Sequence, residues 1–104
     1  MATAYIEFGS AFSAGISAGL HLGSPASSEK VAITSSNAVS TKAASGGLQG
    51  GAYSVVRILS DVDTWIATGS SPDAAVAPRR ALFAGQSIEL LIGAGDKVAV
   101  KALD

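Results

Sequence analysis

The stretch from Tyr53 to Gly69 constrains this chain most. Two runs of β-branched and aromatic residues, Tyr53 to Ser60 and Thr64 to Gly69, flank the short polar break Asp61-Val62-Asp63. That pattern predicts a β-hairpin. A loop over Asp61 to Asp63 sets Ile58 opposite Ile66 and Leu59 opposite Trp65, like with like on both faces. Cross-strand pairs of this kind fix a hairpin's register. Both faces are then apolar, with Val55, Leu59 and Trp65 on one and Val56, Ile58 and Ile66 on the other. One face fills the subunit's own core, and the other calls for a second sheet or a second subunit.

The rest of the chain has the same strand character. Ala4, Ile6 and Phe8 alternate with Tyr5, Glu7 and Gly9, which predicts a first strand from Thr3 to Phe8. The alternation continues through Phe12, Ile16, Leu20 and Leu22, but Gly15, Gly19 and Gly23 oppose a helix there. The whole segment from Met1 to about Gly23, the first strand and the extended, strand-adding arm after it, is expected to make its contacts outside its own subunit. Its removal is then expected to leave the domain's stability nearly unchanged.

Ser24 to Ser28 has loop composition, and Lys30 to Thr34 forms a short strand with Val31 and Ile33 inward. A weak strand passes through Ala38 to Ala43, and Gly46 to Gly51 makes a long loop. Arg80 to Phe83 is another short strand. Ser87 to Ile92 and Lys97 to Leu103 form a second hairpin around Gly93 to Asp96, with Ile88, Leu90, Ile92, Val98 and Val100 inside. The expected architecture is all-β: a small antiparallel β-sandwich or barrel over residues 31–104, preceded by a strand and extended arm over residues 1–30.

Composition decides what surrounds such a fold. Only 14% of the 104 residues are charged, against about 25% in an ordinary soluble domain. A surface of Ser, Thr, Gly and Ala is poorly defended against association, so part of it is expected to be covered in an assembly. The net charge is -1, and the only adjacent basic pair is Arg79-Arg80. Nucleic-acid binding needs a clustered cationic footprint, and none is present. No run reaches the length of a membrane span, and the N-terminus lacks the charged start of a secretory signal. With no cysteine, neither disulfides nor thiolate metal sites contribute.

No catalytic constellation emerges. His21 is the only histidine and reads as an incidental polar residue of the arm. Asp61 and Asp63 lack the further oxygen ligands, glycine and closing glutamate of a calcium loop, and read as turn formers. The Gly46 to Gly51 run lacks the Lys-Ser/Thr of a phosphate cradle. Gly15, Gly19 and Gly23 match a membrane helix-packing spacing without a span to carry it. Arg57 is expected to stack on Trp65 across the central hairpin. Arg79 and Arg80 beside Pro78 are the best candidate for a charged rim that binds a partner's acidic residues, and a solvated loop is the favoured reading of them. No enzyme, cofactor or metal site is expected.

The run from Arg57 to Ala74 has an Arg-led strand, a polar turn, an aromatic strand and a Gly-Ser-Ser-Pro-Asp-Ala turn. It resembles a recurring stretch in small virion accessory proteins of tailed bacteriophages. Leu82 to Leu90 and Gly95 to Val100 are similar to that family's closing strands. The resemblance spans about Val31 to Leu103. It implies a capsid decoration (cement) protein that binds the assembled head and stabilises it, with the major capsid protein as partner. The location implied is the virion, assembled in the host cytoplasm. Decoration proteins of this kind often sit on local three-fold axes, which implies a homo-oligomer, a trimer by preference. The expected oligomer interface is Val55, Arg57, Leu59 and Trp65, and the capsid-contacting arm residues are Phe12, Ile16, Leu20 and Leu22. The alternative is a ligand- or glycan-binding β-sandwich module of a phage fibre or spike.

Overall fold

Period-two alternation builds two layers, each a purely antiparallel sheet. The computed structural model describes residues 2–11, 27–44 and 53–103. The chain is all-β, with strands β1 (Thr3–Ala11), β2 (Ser27–Ala32), β3 (Ala38–Val39), β4 (Tyr53–Ser60), β5 (Thr64–Gly69), β6 (Arg80–Leu82), β7 (Ser87–Leu91) and β8 (Lys97–Ala102). The first sheet runs β2-β1-β4-β7 and the second β3-β8-β5-β6. Inward residues of both sheets meet in one core that includes Ile6, Phe8, Val56, Ile58, Ile66, Leu82, Val98 and Val100. Ile88 and Leu90 pack against it. The inward faces predicted for β2, β7 and β8 are those observed.

Neither predicted hairpin forms. β4 pairs with β1 and β7, whereas β5 pairs with β6 and β8. The break at Asp61 to Asp63 is a corner that carries the chain from one sheet to the other. Ser60 and Thr64, both fully buried, donate their hydroxyls to the Val62 carbonyl at 2.8 and 2.7 Å. Ile58 and Ile66 therefore sit in the same core on different sheets, not side by side in one ladder. An arch and a hairpin present the same like-with-like symmetry in sequence, so the apolar pattern fits both.

The second turn fails as a hairpin for a local reason. The Asp96 N–H donates to the Gly93 carbonyl at 3.0 Å, and Gly95 has φ +84°. Positive φ at the third residue defines a type II turn, whose twist splays flanking strands instead of pairing them. β7 and β8 separate into opposite sheets accordingly. The turn is held from outside by Ala44, which accepts from Gly95 N–H at 2.7 Å and donates to the Asp96 carbonyl at 2.9 Å.

The N-terminal strand is also corrected. β1 lies inside the first sheet, between β2 and β4, and Ala4, Ile6 and Phe8 are among the most buried residues. β1 is thus part of the sandwich and gives Ala4, Ile6 and Phe8 to its core, and the boundary drawn at residue 30 falls within β2. The expectation that everything up to about Gly23 is dispensable for stability is overturned for this segment. Phe12, Ile16, Leu20 and Leu22 lie outside the described residues, as do His21 and the Gly46 to Gly51 run.

One long side of the sandwich is latched by Glu29 on edge strand β2. Its carboxylate accepts the Thr41 N–H, the Thr41 hydroxyl and the Lys42 N–H, all at 2.9 Å. Lys42 Nζ returns a bond to the Ser28 carbonyl at 2.9 Å. Burial raises the Glu29 pKa, but the bonds from Thr41 and Lys42 and the Lys42 charge together outweigh it. The net result is a pKa below the usual 4.5. A depressed carboxylate pKa contributes stability that is full above the unfolded value and is lost as pH falls through the folded one.

Two outcomes follow from this packing. Phe8→Ala should cost about 3–5 kcal/mol in urea denaturation, through lost burial and the cavity left behind. Glu29→Gln should lower the urea midpoint near neutral pH, and the gap to wild type should close as pH falls below 4.5.

Candidate interaction surface

Odd-numbered residues of β1, β4 and β7 share the outer face of the first sheet. The register sets Tyr5 opposite Leu59, Glu7 opposite Arg57, and Gly9 opposite Val55. Across the next ladder Arg57 meets Glu89 and Val55 meets Leu91. An acid–base–acid row, Glu7–Arg57–Glu89, therefore crosses the face between two apolar bands. Arg57 Nη1 lies 3.6 Å from Glu7 Oε1, with both side chains partly exposed. Tyr5 is 42% and Leu91 58% exposed, while Val55 is buried at 7%. Lys30 Nζ approaches the Tyr5 ring at 5.8 Å from its centroid, close enough for a cation–π contact.

Three of the four predicted interface residues, Val55, Arg57 and Leu59, are brought together here. Trp65 is not. It belongs to β5, on the outer face of the second sheet, because the corner at Val62 sends β5 to the other layer. Arg57 consequently does not reach it. The guanidinium over Trp65 is that of Arg79, with Cζ 3.9 Å from the ring centroid. Arg79 Nη1 also donates to the Ala74 carbonyl at 3.1 Å. The crossing between β5 and β6 is pinned by Asn37, whose Oδ1 accepts the Ala74 N–H at 2.7 Å and whose Nδ2 donates to the Pro72 carbonyl at 3.5 Å. Of the expected Arg79–Arg80 rim, Arg80 is exposed and Arg79 is committed to Trp65.

Asp61 and Asp63 form turns. Asp61 Oδ1 accepts the Thr3 N–H at 2.8 Å, and Asp63 Oδ1 accepts the Ala84 N–H at 2.9 Å. Among the described residues no group of three or more His, Asp or Glu side chains is placed to hold a metal. Among the described residues no helix is long and apolar enough to cross a membrane.

Sequence reasoning missed Tyr5, Glu7, Glu89 and Leu91 as members of the face. Their alternation placed each on the outward side of its own strand. What brings them to Val55, Arg57 and Leu59 is strand order, with β4 between β1 and β7. The arrangement suits noncovalent association: apolar bands supply area, and a charged row sets register.

The single tryptophan reports on Arg79. Arg79→Ala should red-shift Trp65 emission and cost about 0.5–2 kcal/mol, the range of a cation–π contact. Unchanged emission would mean that the guanidinium does not cover the ring in solution. Comparison with protein-family models, curated proteins and solved structures finds no match to this chain.

Proposed function

We propose that this chain is an assembly protein of a bacteriophage virion, a decoration protein that binds the capsid surface as a homo-oligomer. The observation that carries the reading is the outer face of the first sheet. There the exposed Tyr5 and Leu91 flank the Glu7–Arg57–Glu89 row, on a chain with only 14% charged residues. The likeness of Arg57 to Ala74 to phage virion accessory proteins supports the identity of the assembly. Double-sheet β-sandwiches serve as viral capsid domains and as carbohydrate-binding domains alike, so surfaces and not architecture favour one role. A glycan platform groups several open aromatic faces, whereas Trp65 lies under the Arg79 guanidinium and the exposed Tyr5 and Phe83 belong to different elements, β1 and the turn after β6. That disfavours the fibre or spike alternative.

In this reading Val55, Arg57 and Leu59 belong to the oligomer interface, extended by Tyr5 and Leu91. The major capsid protein is the partner, the trimer the preferred state and the virion the location. The chain carries out no chemistry of its own. Sedimentation equilibrium across micromolar concentrations should show an oligomer. Arg57→Glu should weaken association by on the order of tenfold or more, because it lines up three carboxylates across the face. Circular dichroism would confirm that the variant stays folded. Mass spectrometry of purified particles should find the chain at high copy. A monomer at every concentration, together with absence from particles, would overturn the reading.

A further inference from the structure

The two long sides of the sandwich differ. The side between β2 and β3 is closed by the Glu29 latch. On the other side lie the edge strands β7 and β6, and β6 stops at Arg80 after pairing only Thr64 to Ile66 of β5. Continued past Ile66 and Arg80, the register would set Arg79 opposite Ala67 and Pro78 opposite Thr68, and Pro78 has no N–H to give. Arg79 instead swings its side chain onto Trp65.

This leaves one end of β5 bare. The Leu103 N–H donates to the Asp63 carbonyl at 3.1 Å, so odd residues of β5 turn their backbone groups toward β8 and even residues turn theirs toward β6. Thr68 is even and lies past the last β6 pair. Its N–H and C=O point to the open side and find no backbone partner among the described residues. A cavity of about 410 Å³ opens there, walled by Ile66, Ala67, Leu90 and Leu91 and headed by Arg79 and Arg80. Arg80 is exposed and makes no ion pair among the described residues.

We propose that this groove docks an extended peptide strand carrying a carboxylate side chain. The strand's backbone pairs with the N–H and C=O of Thr68, as in recognition by strand addition. Its apolar side chains lie against Leu90 and Leu91. Its carboxylate meets the Arg80 guanidinium, a charge-assisted contact that Arg makes well. A small amphiphilic acid answers the cation and the apolar walls but leaves the Thr68 amide groups unused. The groove borders the proposed oligomer face and shares Leu91 with it, but its contacts at Thr68 and Arg80 lie on β5 and β6 and do not depend on that reading.

The test is an amide NMR titration of the full chain with two acetylated, amidated peptides: Val-Thr-Val-Thr-Glu-Val and the same sequence with Gln for Glu. The glutamate peptide should shift the Thr68 and Leu91 amides saturably, with the Thr68 proton moving downfield as it gains an acceptor. The glutamine peptide should bind on the order of tenfold more weakly. Arg80→Gln, a change at an exposed side chain, should make the two peptides equal. Hexanoate should leave the Thr68 amide in place. Four results would each overturn the proposal. These are no saturable shift with the glutamate peptide at millimolar concentration, equal affinities of the two peptides for wild type, movement of the Thr68 amide by hexanoate, and a Thr68 shift that follows protein concentration without peptide. The last would assign the groove to a second copy of this chain.

Discussion

The corner from Ser60 to Thr64 holds the two sheets together. Two buried hydroxyls share one carbonyl, that of Val62, and leaving either of them unsatisfied would cost about 1–3 kcal/mol. The residues around that carbonyl reach three other parts of the chain. Asp61 caps the start of β1 through the Thr3 N–H. The Ser60 carbonyl accepts from Gly85, and the Asp63 carbonyl from Leu103 just past β8. Asp63 Oδ1 holds Ala84, after β6. One short polar segment thus fixes where β1 begins and where the chain leaves β6 and β8. The carboxylates that resemble a metal-loop fragment in sequence are occupied by backbone N–H groups.

Around this corner the sandwich is asymmetric. Glu29 gathers three donors from the residues following β3 and closes one side. The opposite side ends in a three-residue strand, β6, which halts where Pro78 cannot extend the ladder. Tight turns reinforce the division of labour. Gly85, at φ +80°, sits third in a turn closed by the Gln86 N–H on the Phe83 carbonyl at 3.0 Å. Like the turn at Gly95, it sends consecutive strands to opposite sheets.

Much of the fold was legible in local pattern, and the errors were non-local. Alternation correctly placed Val31, Ile33, Ile88, Leu90 and Val98 inward, because side-chain direction depends only on the strand's own period. Strand partners depend on what lies elsewhere in the chain. The pairing of Ile58 with Ile66 looked like a ladder because an arch across a core brings the same residues to the same side. The Ala94-Gly95 pair did carry a usable signal: glycine at the third turn position points to type II, a poor hairpin connector. In sequence β1 has strand character but looks like the root of an arm, because Gly9 and the glycines beyond Ala11 hide how deeply Phe8 is buried. For the candidate surface, the shared face of Val55, Arg57 and Leu59 was legible from one strand. Trp65 was misassigned once the corner was read as a hairpin.

The charge order of the first sheet's face bears on the geometry of the proposed assembly. An exposed ion pair such as Glu7–Arg57 adds little affinity by itself, so its value lies in choosing which surface fits. Were the face to meet its own copy about a two-fold axis, the Glu7–Arg57–Glu89 row would oppose itself. With the axis at Arg57, acid would lie against acid and base against base, which is penalised, whereas an axis midway between Glu7 and Arg57 sets each Glu7 against the other copy's Arg57. A head-to-tail contact instead sets the row against a different surface. If that surface were the opposite outer face, where Trp65 sits, subunits would stack into an open filament. A mate along a side of the sandwich turns each subunit relative to the last and can close a ring. The charge order of the row therefore selects the position of a self-contact rather than its symmetry, and Trp65 packs within the subunit against Arg79.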